Sequence, residues 1–408
     1  MAIPGLLHLL ESSRSIERLA ESLQASPLPL WLPGLSEGEK AVFLAALWQR
    51  ISSRERGLSA LWITPGAYQA ERVYLQLSGL LPEEQVKLFP ALDTMPSEEA
   101  RTSLELTGRR LAALTRLALG RPTIVVAPVD AVAARLIPVE RFRALPLPVR
   151  VGASLSLETL PERLVAMGYQ RVTRVDSPGL FAIRGDIVDV FPVGVPDPIR
   201  IELFGDEVDS IRRFHPTHQR STDHLHEVII PPALEHPLPD GDRTAGLDRI
   251  REAWAEQAQR LERLGRPDAA EGARRRAALH GDRLSRGELF DGMAQYLAFF
   301  YPELGTPLDY VGQGMVIPDE PDHVKDRLTQ WHQEMGEQLT QKLEAGRALP
   351  TEMDLFLEWP ELLDRARQHH LLCLSGLNKR LRELEPSRSH RIELRTPGLY
   401  HGRMEPLA

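Results

Sequence analysis

The segment Gly34-Leu35-Ser36-Glu37-Gly38-Glu39-Lys40-Ala41 sits between a short apolar run and a helical pattern, where a phosphate-binding loop belongs. Such a loop reads G-x-x-x-x-G-K-S/T: glycines let backbone N–H groups close on the phosphates, the lysine reaches the outer ones, and the hydroxyl holds Mg²⁺. Here Gly34 and Lys40 fit, whereas Glu39 stands in place of the second glycine and Ala41 in place of the hydroxyl residue. A carboxylate at position 39 repels phosphate, and Ala41 offers a metal no oxygen. The stretch Val316-Ile317-Pro318-Asp319-Glu320-Pro321-Asp322-His323 has two readings: the remains of an acidic pair that positions a metal-bound nucleotide, or a turn rich in proline and aspartate. With no loop to hold phosphates, the turn is the expectation.

No other spacing carries catalysis. The thirteen histidines show no H-E-x-x-H pattern, and the densest groups, His369-His370 and His215, His218, His224, His226, lack a supporting carboxylate pattern and read as surface. G-x-S-x-G is absent, and the single Cys373 rules out an internal disulfide framework or a cysteine-based zinc cluster. No catalytic residue, cofactor or metal ligand is expected.

The stretch from Ser177 to Phe214 offers a different chemistry. β-Branched and aromatic residues alternate with polar ones between the turn clusters Ser177-Pro178-Gly179, Pro196-Asp197-Pro198 and Gly205-Asp206, which predicts four short strands. In the third, a period of two puts Ile199, Ile201 and Leu203 on one face and Arg200, Glu202 and Phe204 on the other, with Arg184 closing an earlier strand. The first face is core. An outward Phe among arginines has the composition of a protein-binding hot spot, while isolated exposed hydrophobes are also common, so spacing alone leaves an ordinary sheet surface and a binding face both open.

The elements that must position these residues fall into two kinds. Over residues 1–147, helices are expected at Leu6–Leu23, Glu37–Ile51, Ala67–Leu80 and Glu98–Leu119, alternating with strands at Leu28–Leu32, Ala60–Thr64, Val86–Phe89 and Thr123–Ala127, which argues for a parallel α/β sheet. Over 148–235, a helix with Thr159 and Glu162 spaced as a capping box and Gly168 as its C′ residue leads into the strands above and a last one at Val228–Ile230, a small α+β domain. From 236 to 378 helix dominates: Leu247, Ile250, Trp254, Leu261 and Leu264 form a core stripe, Arg274-Arg275-Arg276 a solvated face, Tyr310–Ile317 a strand and Val324–Leu343 another helix. Residues 379–408 read as a linker or the start of another domain.

The runs Phe181-Ala-Ile-Arg184-Gly185-Asp186-Ile-Val-Asp189-Val-Phe191-Pro192 and Ile199-Arg200-Ile-Glu-Leu-Phe204-Gly-Asp-Glu207-Val-Asp209-Ser210-Ile-Arg, with Gln219-Arg220-Ser221, closely resemble the UvrB-homology module of bacterial transcription-repair coupling factors (Mfd). The resemblance extends more loosely over residues 1–375. It implies a degenerate helicase-like (RecA-like, UvrB-like) scaffold, discontinuous in sequence and assembled from 1–147 and 236–378, with 148–235 inserted. It implies that the inserted domain recruits the excision-repair protein UvrA through Arg184, Arg200 and Phe204, and that Gly34, Glu39, Lys40 and Ala41 are the vestige of an ATP site. In such proteins RNA polymerase and double-stranded DNA are bound by later domains, a motor hydrolyses ATP, and a distant C-terminal domain masks the UvrA-binding face. A chain without those parts reads as an N-terminal fragment.

Composition bounds the alternatives. The 408 residues are 42 % hydrophobic, enough for two or three cores. No apolar run approaches the roughly 20 residues that span a bilayer, and the first residues lack a signal peptide's basic start and cleavage site, so a cytoplasmic protein is expected. A net charge of −8 argues against a module that grips DNA by bulk attraction. The remaining rival is an ATP-dependent helicase component, against which Glu39-Lys40-Ala41 is the discriminating feature.

Overall fold

The computed structural model describes residues 7, 13–25, 29–52, 58–99, 103–238, 243–377, 381–385 and 388–390. The chain opens with the helix Arg14–Ala25, then β1 (Leu30–Pro33), the helix Glu37–Ser52, β2 (Ala60–Thr64), the helix Ala67–Ser78, β3 (Val86–Leu88), the helix Leu104–Ala118 and β4 (Ile124–Pro128). β1, β2 and β4 are short runs buried at every position, as in parallel sheets covered by helices on both sides. The helix expected from Glu98 begins later, at Leu104 among the described residues, with Glu98 and Glu99 in irregular chain. Most of the first turns of the Leu6–Leu23 helix lie outside the described residues.

The inserted segment follows as β5 (Leu147–Arg150), the helix Leu160–Ala166, β6 (Gln170–Arg171), β7 (Leu180–Arg184), β8 (Ile187–Phe191), β9 (Ile199–Phe204), β10 (Glu207–Phe214), β11 (Ser221–Leu225) and β12 (Glu227–Ile230). Strands β6 to β11 form a sheet in simple sequential order, antiparallel except for the parallel β6/β7 pair. β5 pairs antiparallel with β12, Leu147 opposite Ile230, so the chain enters and leaves through one two-stranded ribbon. The helix packs Leu160, Leu164 and Met167 against Phe181, Val188, Ile199 and Ile201. It ends as the glycine placement implies: Gly168 takes φ +95°, its N–H donates to the carbonyl of Val165, and that of Tyr169 donates to Leu164. Its start differs from expectation. Thr159 has helical backbone angles and its side chain caps nothing; a capping hydroxyl needs an extended residue, so the Thr159/Glu162 spacing goes unused.

The returning chain forms the helices Thr244–Arg263 and Pro267–Ser285, packed as a hairpin, then β13 (Met315–Pro318), the helix Pro321–Glu344, the helix Trp359–Ala366, β14 (His370–Ser375) and β15 (Arg388–Ser389). Leu247, Ile250, Trp254 and Leu261 are buried in the stripe read from their spacing, but Leu264 caps the helix end and is exposed. Tyr310 is not in a strand. Thr306 and Asp309 make a reciprocal capping box with Pro307 in the first turn, starting the short helix Pro307–Val311, and β13 begins only at Met315. β13, β14 and β15 complete a seven-stranded, all-parallel sheet in the order β15-β1-β14-β13-β2-β4-β3. Part of the stretch expected to be a linker therefore adds an edge strand. The two sheet faces bury alternate residues: Trp31, Leu61, Ile63, Val125 and Cys373 on one side, Leu32, Trp62, Val126, Ile317 and Leu374 on the other.

Besides Val193, which is buried in the scaffold core, a buried ion pair and a backbone contact fasten the inserted segment to the scaffold. Arg110 reaches from the helix Leu104–Ala118 to grip Glu235 with Nε at 2.6 Å and Nη2 at 2.9 Å, donates to the carbonyl of Pro90 at 2.6 Å and stacks on the Phe89 ring at 3.9 Å. Burial alone would raise the Glu235 pKa, but Arg110 outweighs it and holds the carboxyl below its usual range. Beside this pair Gly108 and Gly194 meet backbone to backbone, where a Cβ on Gly108 would fall 2.4 Å from the Cα of Gly194.

Arg110→Ala strands a buried carboxylate, so urea unfolding should show a loss of about 3–5 kcal/mol. In the helical hairpin, burial, aided by Arg276, holds His280 down to about 4. The folded state keeps this ring neutral while the unfolded chain protonates near pH ~6.5, so its share of stability is full above that pH and falls as pH drops toward about 4. His280→Asn should flatten that part of the stability–pH curve relative to wild type.

Candidate functional site

Register across the inserted sheet defines its outward face. β9 buries Ile199, Ile201 and Leu203 and turns Arg200, Glu202 and Phe204 outward, the alternation that the period of two requires. The pairs Asp189–Arg200 and Ile187–Glu202 across β8/β9, Arg184–Ile187 across β7/β8, and Glu202–Ser210 and Arg200–Arg212 across β9/β10 place these residues in rows on that face. Phe204 stands at its end with 84 % of its surface exposed. Glu202 accepts from Ser210 Oγ at 2.7 Å and pairs with Arg212 at 3.2 Å.

The two arginines are not equivalent. Asp189 has a side chain only 1 % exposed and receives Arg200 through both oxygens, Nε at 2.7 Å and Nη2 at 2.9 Å, and Arg184 Nη2 through Oδ2 at 2.7 Å. The Asp189 carboxylate, by hydrogen bonding first, raises the Arg200 pKa further. Arg200 also lies 4.7 Å over the Phe214 ring and is 15 % exposed, whereas Arg184 is 52 % exposed. Phe214, Val175, Ala182 and Phe191 make a second small core on this side of the sheet. Next to it Arg174, Arg184, Arg200, His218 and Gln219 line an open basic concavity. Gln219 has φ +56°, held by its side-chain amide donating to the carbonyls of Val175 and Pro216. His215 and His218 stack with centroids 4.9 Å apart.

Sequence reasoning missed Asp189, Arg174 and Gln219. The signal for Asp189 was present: in Ile187-Val188-Asp189-Val190 the same period that buries both valines turns the aspartate to the arginine side of the sheet. Arg174 and Gln219 lie on loops, where no period applies.

The second candidate lies at the carboxyl edge of the parallel sheet, the usual ligand position in such folds. β1 and β13 end there with β14 between them. Gly34 takes φ +86° and the helix Glu37–Ser52 follows. One N–H at its start is taken up by the chain: Glu39 accepts the N–H of Ser36 at 2.7 Å, and hydrogen bonding from Ser36, its side chain first and its backbone next, lowers the Glu39 pKa. Lys40, with its side chain 4 % exposed, donates to Asp319 and to Glu320, each at 2.6 Å. Burial opposes the charge on Lys40, but Asp319 and then Glu320 outweigh it and raise its pKa. Trp62 Nε1 donates to Asp319 at 3.3 Å, and the Gly376 N–H to Glu320 at 2.6 Å. Glu320 has φ +52° and, with Gln219, is one of two non-glycine residues of positive φ among the described residues. The acidic stretch that spacing favoured as a plain turn is thus the counter-ion of Lys40, with Asp319 lying 279 positions further along the chain. Ala41 is buried and contributes no polar atom.

Lys40→Met leaves two carboxylates crowded in a buried site, so it should lower stability by about 3 kcal/mol at neutral pH. The deficit should shrink as pH falls and the acids take up protons, as read by urea titrations at successive pH values.

A family model described as the UvrB interaction domain matches residues 147–236. The transcription-repair-coupling factor of Bacillus subtilis (strain 168) is 32 % identical over 384 residues, covering 92 % of this chain and 31 % of that protein. Those of Staphylococcus aureus (strain MRSA252) and Staphylococcus haemolyticus (strain JCSC1435) are 29 % identical over 296 residues and 27 % over 316, covering 72 % and 77 % of this chain. The chain spans about a third or less of the length of these relatives, 31 %, 24 % and 26 % respectively. With a matched UvrB interaction domain set into a parallel-sheet scaffold, this chain belongs to the transcription-repair-coupling factor family as its UvrB-homology module.

Proposed function

We propose that this chain is a non-catalytic recruitment module that binds UvrA and so brings nucleotide excision repair to an RNA polymerase stalled at a DNA lesion. The observation that carries this reading is Phe204, held outward on β9 inside the domain matched to the UvrB interaction family. A phenyl ring on an ordered strand is a low-entropy anchor for a partner's pocket, and the arginines beside it fix orientation and speed encounter. Arg184 and Arg200 belong to this face with Phe204, Arg184 as an accessible cation and Arg200 within the network that supports it. RNA polymerase, double-stranded DNA, ATP hydrolysis and the masking C-terminal domain belong in this reading to other parts of the full-length protein. The isolated chain therefore binds UvrA without a trigger.

The scaffold in this reading is a carrier without a working nucleotide site. Glu39 takes up the Ser36 N–H and sets a carboxylate at the helix start that would meet phosphate, and Asp319 and Glu320 already neutralise the lysine that would reach it. Nucleotide binding would have to displace an internal carboxylate from each.

Titration of UvrA with this chain should give saturable binding, and Phe204→Ala should weaken it about thirty-fold or more while leaving thermal unfolding unchanged. Equal affinities would remove the anchor. Calorimetry with Mg-ATP should show no heat of binding at micromolar nucleotide, and a micromolar isotherm would favour the helicase reading instead.

A further inference from the structure

We propose that Asp189 is the positioning residue of the outward face, and that Arg184 with its neighbour Arg174, rather than Arg200, meets an acidic side chain of the partner. The inference rests on the reading of this face as the UvrA-binding surface and adds which groups touch the partner and which act through another.

The geometry separates the roles. The carboxylate of Asp189 takes Nε and Nη2 of Arg200 and one Nη of Arg184. The third nitrogen of Arg200, Nη1, points to the Gln219 carbonyl at 3.4 Å, and one face of the guanidinium covers the Phe214 ring. Arg200 is therefore a wall of the site, each of its three nitrogens engaged and its side chain mostly covered. Arg184 shares the same carboxylate through a single nitrogen and keeps half its side chain exposed. Arg174 is exposed, tied through Nη2 to the Thr217 carbonyl at 2.8 Å. Three guanidiniums line one concavity against one buried carboxylate, so the concavity keeps an excess of two positive charges although the whole chain carries −8. A carboxylate seated there meets cations whose direction is set beforehand, which lowers the ordering cost of the contact.

The alternative is that Asp189 only neutralises the sheet surface and Arg200 touches the partner directly. The two assignments predict different couplings, because effects routed through one group do not add. We expect Asp189→Asn to weaken UvrA binding at least tenfold through faster dissociation, and to add less than threefold once Arg184→Ala is present. Arg200→Gln, which leaves Asp189 in place, should show the same dependence on Arg184. Independent, multiplying losses in the double variants would overturn the proposal, as would wild-type affinity for Asp189→Asn. A second readout needs no partner: Asp189→Asn should abolish the slowed exchange of the Arg184 and Arg200 guanidinium protons in nuclear magnetic resonance spectra, and unchanged exchange would also overturn it. If Asp189→Asn does not fold, the Arg200→Gln cycle decides between the two. If wild type fails to bind UvrA while the guanidinium protons behave as expected, the functional reading fails and the clamp stands.

Discussion

A buried charge has to be neutralised, and among the described residues three ion-pair sites do this from within the fold. Lys40 meets Asp319 and Glu320, Arg110 meets Glu235, and Arg200 meets Asp189. Each pair sits where an uncompensated charge would cost several kcal/mol, so each ties the elements that supply its two ends: the chain just after β13 to the first turn of the helix Glu37–Ser52, the exit of the inserted segment to a scaffold helix, and β8 to β9. A buried ion pair adds little net stability over a hydrophobic pair, but it tolerates no substitute geometry. These three pairs therefore specify arrangement more than they supply binding energy for folding.

The accessible positive charge of the inserted sheet follows from the same accounting. Asp189 takes one guanidinium through two nitrogens and a second through only one, and the surplus positive charge is what faces solvent beside Phe204. That surplus is useful only if the sheet is held still. The β5/β12 ribbon joins entry to exit, and Gly108 against Gly194 lets the scaffold backbone touch the inserted one with no side chain between. A Cβ at either glycine would push the two bodies apart at the point where the Arg110–Glu235 pair requires them close.

Much of the fold was legible because its signals are local. The alternation in Ile199-Arg200-Ile201-Glu202-Leu203-Phe204 is carried by the pleat itself, and the coordinates show the same parity. Short apolar runs flanked by helical patterns marked β2 and β4. Failures came where a local signal had a rival: Thr306-Pro307 with Asp309 started a helix in a stretch whose apolar residues also suited a strand, and Thr159 lost its capping role to its own helical backbone. Other features were not legible at all, since they join distant positions. Nothing near Lys40 announces Asp319, nothing near Arg110 announces Glu235 125 residues on, and the acidic stretch therefore read as a plain turn.

The filled cradle supports the proposal that this helicase-like sheet serves as a carrier. In a nucleotide-driven motor the charge facing the loop lysine arrives with the triphosphate and changes on hydrolysis, so the elements around it alternate between arrangements. In this chain the facing charge is covalently part of the protein and does not leave. Strand β13, Glu320 with its positive φ and the long helix Pro321–Glu344 that begins beside it are tied through Lys40 to the first turn of the helix Glu37–Ser52. In the proposed reading, a scaffold whose loop-facing charge is built in presents its inserted domain without a nucleotide-dependent rearrangement. That is the condition under which an exposed aromatic anchor with a pre-set guanidinium beside it keeps its geometry before any partner arrives.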